Sequence, residues 1–189
     1  MKLLEDRIRK DGVAKAGGIL KVDSFYNHQM DPALLDELGK EIAREFKDAR
    51  VDKVLTVEAS GIALACFAGL ALGVPVLFAK KSKSRNISDE VYSAEVVSFT
   101  HGNTNDIIVS KQYLHEGERV LLVDDFLATG AALMGLRELV RQAGGEVVGA
   151  AIGIEKAFQG GGKLREDGMR IVSLAIVDKM DEDGTITFC

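Results

Sequence analysis

Cysteine and histidine are scarce in this sequence, and an excess of positive charge is missing. Only two cysteines occur among 189 residues, Cys66 within an apolar run and Cys189 at the end. Two such residues build no disulfide framework, and reduced thiols in a cytosolic compartment are expected. The three histidines, His28, His101 and His115, share no metal-ligand spacing with one another or with the cysteines, so no residue is assigned to a metal. The net charge of −5 argues against a broad nucleic-acid surface, which needs a basic face to neutralise phosphates. It leaves room for a small anionic ligand, because a local cluster can oppose the overall sign.

An export signal, an internal repeat and a linker are also missing. The opening MKLLEDRIRK mixes charge with leucine as a surface helix does. One substantial core over residues 1–189, a single domain, is expected at this length and at 47% hydrophobic residues. One uncharged stretch, GIALACFAGLALGVPVLFA at residues 61–79, approaches membrane-spanning length. Gly73 and Pro75 interrupt it, since proline lacks an amide donor and disfavours helix at the residue before it. A buried helix, a turn and a core strand fit it better. A soluble, cytoplasmic protein with no membrane contact is expected.

Turning to what is present, Asp31-Pro32 reads as a helix cap followed by proline at the first helical position. Leu34, Leu35, Leu38, Ile42 and Phe46 follow at helical spacing. Residues 53–57, 74–79, 119–123, 147–154, 169–177 and 185–188 read as strands. Residues 131–143 read as a helix closed by Gly144-Gly145. Residues 80–106 are polar, with only 91–99 able to extend and pair with 107–110 as a β-arm; such an excursion is a flap or a loop. Strands alternating with helices imply an α/β fold whose parallel sheet is covered on both faces. Ligands on such sheets bind beyond the carboxyl ends of the strands.

The stretch VLLVDDFLATGAA, residues 120–132, puts two acids directly behind four apolar residues. One acid near a helix start is explained as a cap or a partner for the dipole; two together are not. Paired carboxylates accept from the vicinal hydroxyls of a sugar. The amides of Ala128, Thr129, Gly130, Ala131 and Ala132, at a helix start among small side chains, suit a phosphate. A ligand carrying ribose hydroxyls beside a phosphate follows from the two features together.

That stretch resembles the 5-phospho-α-D-ribose 1-diphosphate (PRPP) binding motif of type I phosphoribosyltransferases, with Phe126 bulkier than the aliphatic residue commonest there. LKVDSFYNHQMDP, VEASGIA, VPVLFAKK and IGIEKAFQ extend the likeness, and among the purine members they are most similar to the bacterial xanthine-specific branch. The resemblance implies the type I fold: a parallel-sheet core, a flexible loop at about 80–108, and a hood from about 1–30 and 155–189. It implies that Asp124 and Asp125 hold the ribose hydroxyls, while residues 128–132 take the 5′-phosphate. Glu58, Ala59, Ser60 and Gly61 match the pyrophosphate loop, whose plain alternative is an ordinary strand-to-helix turn. Within KKSKSR, residues 80–85, Lys80 and Lys81 are the pyrophosphate candidates at a strand end; Lys83 and Arg85 read equally well as solvated loop.

For the base, the resemblance points to Leu20, Asn27 and Lys156, with Phe126 or Phe158 available to stack. Taken singly, each has a duller reading as core, turn or surface. Xanthine carries two ring carbonyls and loses a proton readily, so donors and a cation suit it. Glu95 matches a loop glutamate of adenine-specific relatives and is a candidate for proton transfer; its plain alternative is an exposed edge-strand glutamate. The implied reaction joins xanthine to PRPP, giving xanthosine 5′-monophosphate and pyrophosphate in purine salvage. Mg²⁺ bridging substrate oxygens and a homodimer are implied too, with no nucleic acid or membrane partner. The alternatives are adenine or guanine/hypoxanthine specificity, or a PRPP-sensing regulator without catalysis. Lys156 offers no acceptor for adenine's amine. The regulator needs a helix-turn-helix ahead of motifs that here begin within the first 30 residues.

Overall fold

The structure, a computed structural model, describes residues 1–81, 90–97, 104–181 and 183–189. His101, Lys83 and Arg85 lie outside the described residues. In chain order the elements are α1 (Lys2–Asp11), β1 (Val13–Lys15), β2 (Ile19–Lys21), α2 (Pro32–Glu45), β3 (Lys53–Val57), α3 (Gly61–Leu72) and β4 (Val76–Ala79). Then follow β5 (Val91–Val97), β6 (Thr104–Ser110), β7 (Arg119–Leu127), α4 (Ala131–Ala143), β8 (Glu146–Lys156), β9 (Ile171–Met180) and β10 (Ile186–Phe188). A six-stranded sheet runs in the order β10-β9-β8-β7-β3-β4. Its neighbours pair in parallel, except β10, which runs antiparallel to β9.

The helices start and stop where side-chain chemistry says they should. Asp31 caps α2 by accepting from the amides of Ala33 and Leu34 at 3.1 and 3.2 Å, with Pro32 at the first helical position. Arg7 of α1 reaches the other Asp31 oxygen at 2.7 Å and ties the first two helices together. Gly73 and Gly144 end α3 and α4 in the left-handed conformation that glycine adopts at no steric cost. The uncharged stretch at 61–79 resolves into α3, that turn and β4. Among the described residues no helix is long and apolar enough to cross a membrane.

Strand alternation divides the core between the two faces of the sheet. Val54, Leu121, Val123, Ala151 and Leu174 pack with α1, α2 and α3 on one side. Leu55, Leu122, Ala150 and Ile152 pack with α4 and the β5–β6 arm on the other. A fully buried leucine contributes about 1.5–3 kcal/mol, so Leu35, Leu38 and Ile42 of α2, all at 0–1% exposure, anchor that helix firmly. Helices α2 and α3 touch at Gly39, where a Cβ would stand 2.6 Å from the Phe67 backbone.

Among the strand boundaries that depart from the sequence reading, three stand out. Strand β4 begins at Val76 rather than 74, after the Pro75 carbonyl has accepted the Val54 amide at 3.0 Å. Strand β9 runs from Ile171 to Met180 rather than over 169–177. The third matters most. Strand β7 continues four residues past Val123, because it stays in register with β8 through Asp124↔Ile152, Phe126↔Ile154 and Leu127↔Glu155. Asp124 and Asp125 therefore stand among the last four residues of a paired strand, not in the loop behind it. The expected arm forms, but its second strand starts earlier than 107: β5 and β6 pair antiparallel from Val91↔Ser110 to Val97↔Thr104.

Candidate active site

At the carboxyl ends of β3 and β7 the sheet opens into a hollow of about 210 Å³. The acid pair forms its floor, Glu58 and Ser60 one wall, and residues 128–132 another, while Val96, Asn105 and Ile107 of the arm close a side. Gly130 turns the chain with φ 88°, and α4 opens at Ala131 and Ala132, which line this space with the helix start. Small side chains at 128–132 leave the backbone approachable.

The two acids lead to different neighbours because successive side chains of a strand point to opposite faces. Asp124 stands beside the pyrophosphate candidate: a Cβ on Gly61 would lie 2.9 Å from Asp124 Oδ1 and 2.4 Å from Thr56 Oγ1. Asp124 Oδ1 also accepts the Asp125 amide at 3.0 Å. Burial and the adjoining Asp125 charge push the Asp124 carboxyl well above its ordinary range, with Lys81 as a weaker opposing charge. Asp125 faces the other way, where Asn27 Nδ2 approaches Asp125 Oδ2 at 3.4 Å.

Of the two lysines at the end of β4, only Lys81 joins the hollow. Its amide donates to Glu58 Oε1 at 2.6 Å, which joins the two proposed pyrophosphate segments and turns the Glu58 carboxylate aside. The Glu58–Ala59 peptide is cis. Lys80 departs from expectation. Its amide and carbonyl both pair with Ile108 at 2.9 Å, and its side chain lines a separate hollow with Phe78 and Tyr113. The bridge to Ile108 holds Lys80, and the bend that follows carries Lys81 to Glu58.

The base-side residues converge on Phe126. Lys156, at the end of β8, places Nζ 5.3 Å from the Phe126 ring centre and donates to the Gly18 carbonyl at 3.0 Å. Burial lowers the Lys156 pKa, and the Asp125 charge opposes that shift. Leu20 is buried in β2 within the same apolar cluster that packs against Phe126. Phe158 does not join them: it is 47% exposed and borders another hollow beside Gly18 and Asp178. Of the two stacking candidates, Phe126 alone lines the site.

Glu95 is not brought to the site either. It is exposed and pairs across the arm with Asp106, whereas the hollow is lined by the neighbouring Val96, Asn105 and Ile107. The two-residue period of the strand puts Glu95 on the outer face.

The sequence reading missed Tyr26. Its ring is buried, edge-on to Phe126 at 6.5 Å, and its hydroxyl reaches the Asp125 carbonyl at 3.5 Å. Burial and then the two acids raise the Tyr26 pKa well above the ordinary tyrosine value. Space for the hydroxyl exists because residue 153 is glycine, where a Cβ would stand 1.6 Å from it. Tyr26 and Asn27 belong to one five-residue π-turn, Asp23–Asn27, that points the first inward and the second at the acid. The Phe-Tyr-Asn run was the available signal.

Comparison with known proteins decides what this arrangement belongs to. A model of the phosphoribosyl transferase domain matches residues 21–178. The chain belongs to the phosphoribosyltransferase family. It is 55% identical over 190 aligned residues to a xanthine phosphoribosyltransferase of Lachnoclostridium phytofermentans, covering 100% of this chain and 98% of that one. A xanthine phosphoribosyltransferase of Alkaliphilus metalliredigens is 54% identical over 100% of this chain and 93% of its own. In three dimensions the chain is similar to an adenine phosphoribosyltransferase of Rhodothermus marinus, with a TM-score of 0.75 at 19% identity over 94% of this chain and all of that one. That last likeness concerns the fold, a type I phosphoribosyltransferase fold with a mostly parallel six-stranded sheet.

Proposed function

We propose that this chain transfers the phosphoribosyl group of PRPP to xanthine, giving xanthosine 5′-monophosphate and pyrophosphate, as a step of purine salvage. The observation that carries this reading is the pair of donors on the base side: Asn27 Nδ2 lies 3.4 Å from Asp125 Oδ2, the acid proposed for the ribose, and the Lys156 cation lies 5.3 Å from the ring centre of Phe126, the next residue. A base rich in carbonyls and prone to negative charge suits those donors. The relatives that match end to end carry the same activity in their names.

The chemistry asks for positioning and charge management. As C1 of the ribose loses pyrophosphate it becomes cationic, and the base nitrogen attacks from the opposite face. In our reading Asp124 and Asp125 hold the ribose hydroxyls, while the amides of Ala128, Thr129, Gly130, Ala131 and Ala132 hold the 5′-phosphate. Ala59, Ser60 and Gly61, with Lys81, receive the pyrophosphate, and Glu58 orients Lys81 through its amide. Leu20, Asn27, Lys156 and the Phe126 ring define the base site. The β5–β6 arm, with the 80–108 segment to which it belongs, excludes water from a centre for which hydrolysis is the competing reaction.

Mg²⁺ belongs to this reading as part of the PRPP substrate. Among the described residues no group of three or more His, Cys, Asp or Glu gathers to hold a metal. The oxygen donors that line the hollow, Asp124 and Asp125 among them, suit a hard ion that would come with the substrate. When bound with PRPP, it would lower the negative charge that the pyrophosphate carries away. The reading also takes residues 1–189 as one domain with a hood from about 1–30 and 155–189, working in the cytoplasm as a homodimer. Titration of Asp124→Asn/Asp125→Asn with Mg²⁺ and PRPP tests the core of it: binding should weaken at least about 100-fold in a folded protein. Wild-type affinity in that variant would contradict the ribose assignment.

A further inference from the structure

The run GGGKLR, residues 160–165, takes no part in the reading above, yet it lies against the proposed phosphate loop. Gly160 turns at φ 82° into a short 3-10 turn, Gly161–Arg165. The Gly161 amide donates to the Ala128 carbonyl at 2.8 Å. A Cβ on Gly161 would stand 2.5 Å from that oxygen and 2.9 Å from the Gly130 nitrogen, so only glycine lets the turn come this close. Leu164 covers Gly130 from the same side, where a Cβ on Gly130 would lie 2.8 Å from Leu164 Cδ1. The loop is thus backed by this turn.

Arg165 holds the turn in place. Its guanidinium grips Glu155 with both forks, Nη1 to Oε1 at 2.9 Å and Nη2 to Oε2 at 2.6 Å. Its Nη2 also donates to Ser173 Oγ at 3.2 Å, its Nε to the Ile171 carbonyl at 3.3 Å, and its Nη1 to the Gly162 carbonyl at 3.3 Å. Glu155 is 4% exposed, and Ser173 Oγ donates to it at 2.5 Å. A buried ion pair adds little net stability over an apolar pair of similar size, because desolvation offsets its attraction. What a rigid, two-pronged guanidinium supplies is geometry. Glu155 further precedes Lys156 in β8 and pairs with Leu127, the last residue of β7 before the loop.

We propose that Arg165, locked to Glu155 and Ser173, is a positioning residue that sets the phosphate loop at residues 128–130 through the Gly161–Ala128 bond, while touching no substrate itself. The proposal rests on the reading of that loop as the 5′-phosphate site.

Two measurements separate the proposal from that underlying reading. Ribose 5-phosphate added to the wild-type protein should shift the backbone amide resonances of residues 128–132; if they stay unmoved, the loop assignment itself fails. With those shifts in hand, KM for PRPP and KM for xanthine are compared in wild type, Arg165→Met, Arg165→Lys and Gly161→Ala. Arg165→Met should raise KM for PRPP about tenfold or more with KM for xanthine within about twofold. Arg165→Lys, which keeps the charge on Glu155 without the fork, should fall between. A general loss of folded protein would lower kcat and leave both KM values in place. Should Arg165→Met fail to fold, Gly161→Ala decides, since its added methyl pushes on the Ala128 carbonyl directly and should give the same split. A folded Arg165→Met, or Gly161→Ala in its stead, with the wild-type KM for PRPP would overturn the proposal.

Discussion

Asn27 Nδ2 donates to Asp125 Oδ2 at 3.4 Å, so the base side and the ribose side of the site share one carboxylate. The two residues are 98 positions apart in sequence and meet beside Tyr26, whose buried ring packs edge-on to Phe126 and holds the π-turn against β7. A bond of that length is weak. It leaves the amide of Asn27 free to turn to a ligand while keeping it within reach.

The acid pair should make the ligand-free protein less stable than it could be. Burial raises Asp124 above its unfolded value, so its contribution to stability is present below the ordinary aspartate range and is lost as pH rises through the raised value. Asp124→Asn should therefore be more stable than wild type at pH 7, by about 3 °C or more in Tm, with the gap closing near pH 4. Thermal melts from pH 4 to 8 check this. A variant melting below wild type at pH 7 would show that the carboxylate is well accommodated.

Lys156 should decide which purine is used. Its charge is half-buried between the Gly18 carbonyl and the Phe126 ring. A hydrogen bond to a charged group contributes about 1.5–3 kcal/mol, or roughly 10- to 150-fold in rate constants. Lys156→Met should lose that factor in kcat/KM for xanthine and far less for hypoxanthine, with KM for PRPP little changed. Equal losses for both bases would place Lys156 outside base selection.

Glu95 gives the opposite expectation. It is exposed on the outer face of the arm, away from the residues that line the hollow. Glu95→Gln should leave kcat within about twofold of wild type, as surface substitutions away from such features do. A tenfold fall in single-turnover rate would return the residue to proton transfer.

What could be read from the sequence was what depends on neighbours in the chain. Asp31-Pro32, Gly73 and Gly144 mark helix ends by local backbone chemistry, and the acid-to-glycine run marks its own loop. The limits were contacts between distant segments. Strand β7 runs on through both acids because β8 lies beside it, which the apolar pattern ending at Val123 did not reveal. Lys80 and Lys81 look alike in sequence, yet the bridge to Ile108 turns Lys80 to a different hollow and the bond to Glu58 brings Lys81 into the site. Phe126 and Phe158 were equal candidates until β7 and the turn after β8 placed them apart. Tyr26 needed the gap at Gly153, 127 residues along the chain, and Arg165 needed a Glu155 buried by the sheet around it.

The most direct test is nucleotide formation from PRPP and Mg²⁺ with xanthine, guanine, hypoxanthine and adenine compared under one set of conditions. The account predicts that kcat/KM is highest for xanthine, that pyrophosphate is released in equal amount to xanthosine 5′-monophosphate, and that adenine is used least. Preference for another purine would contradict the roles given to Asn27 and Lys156, and no turnover with any base would contradict the activity itself.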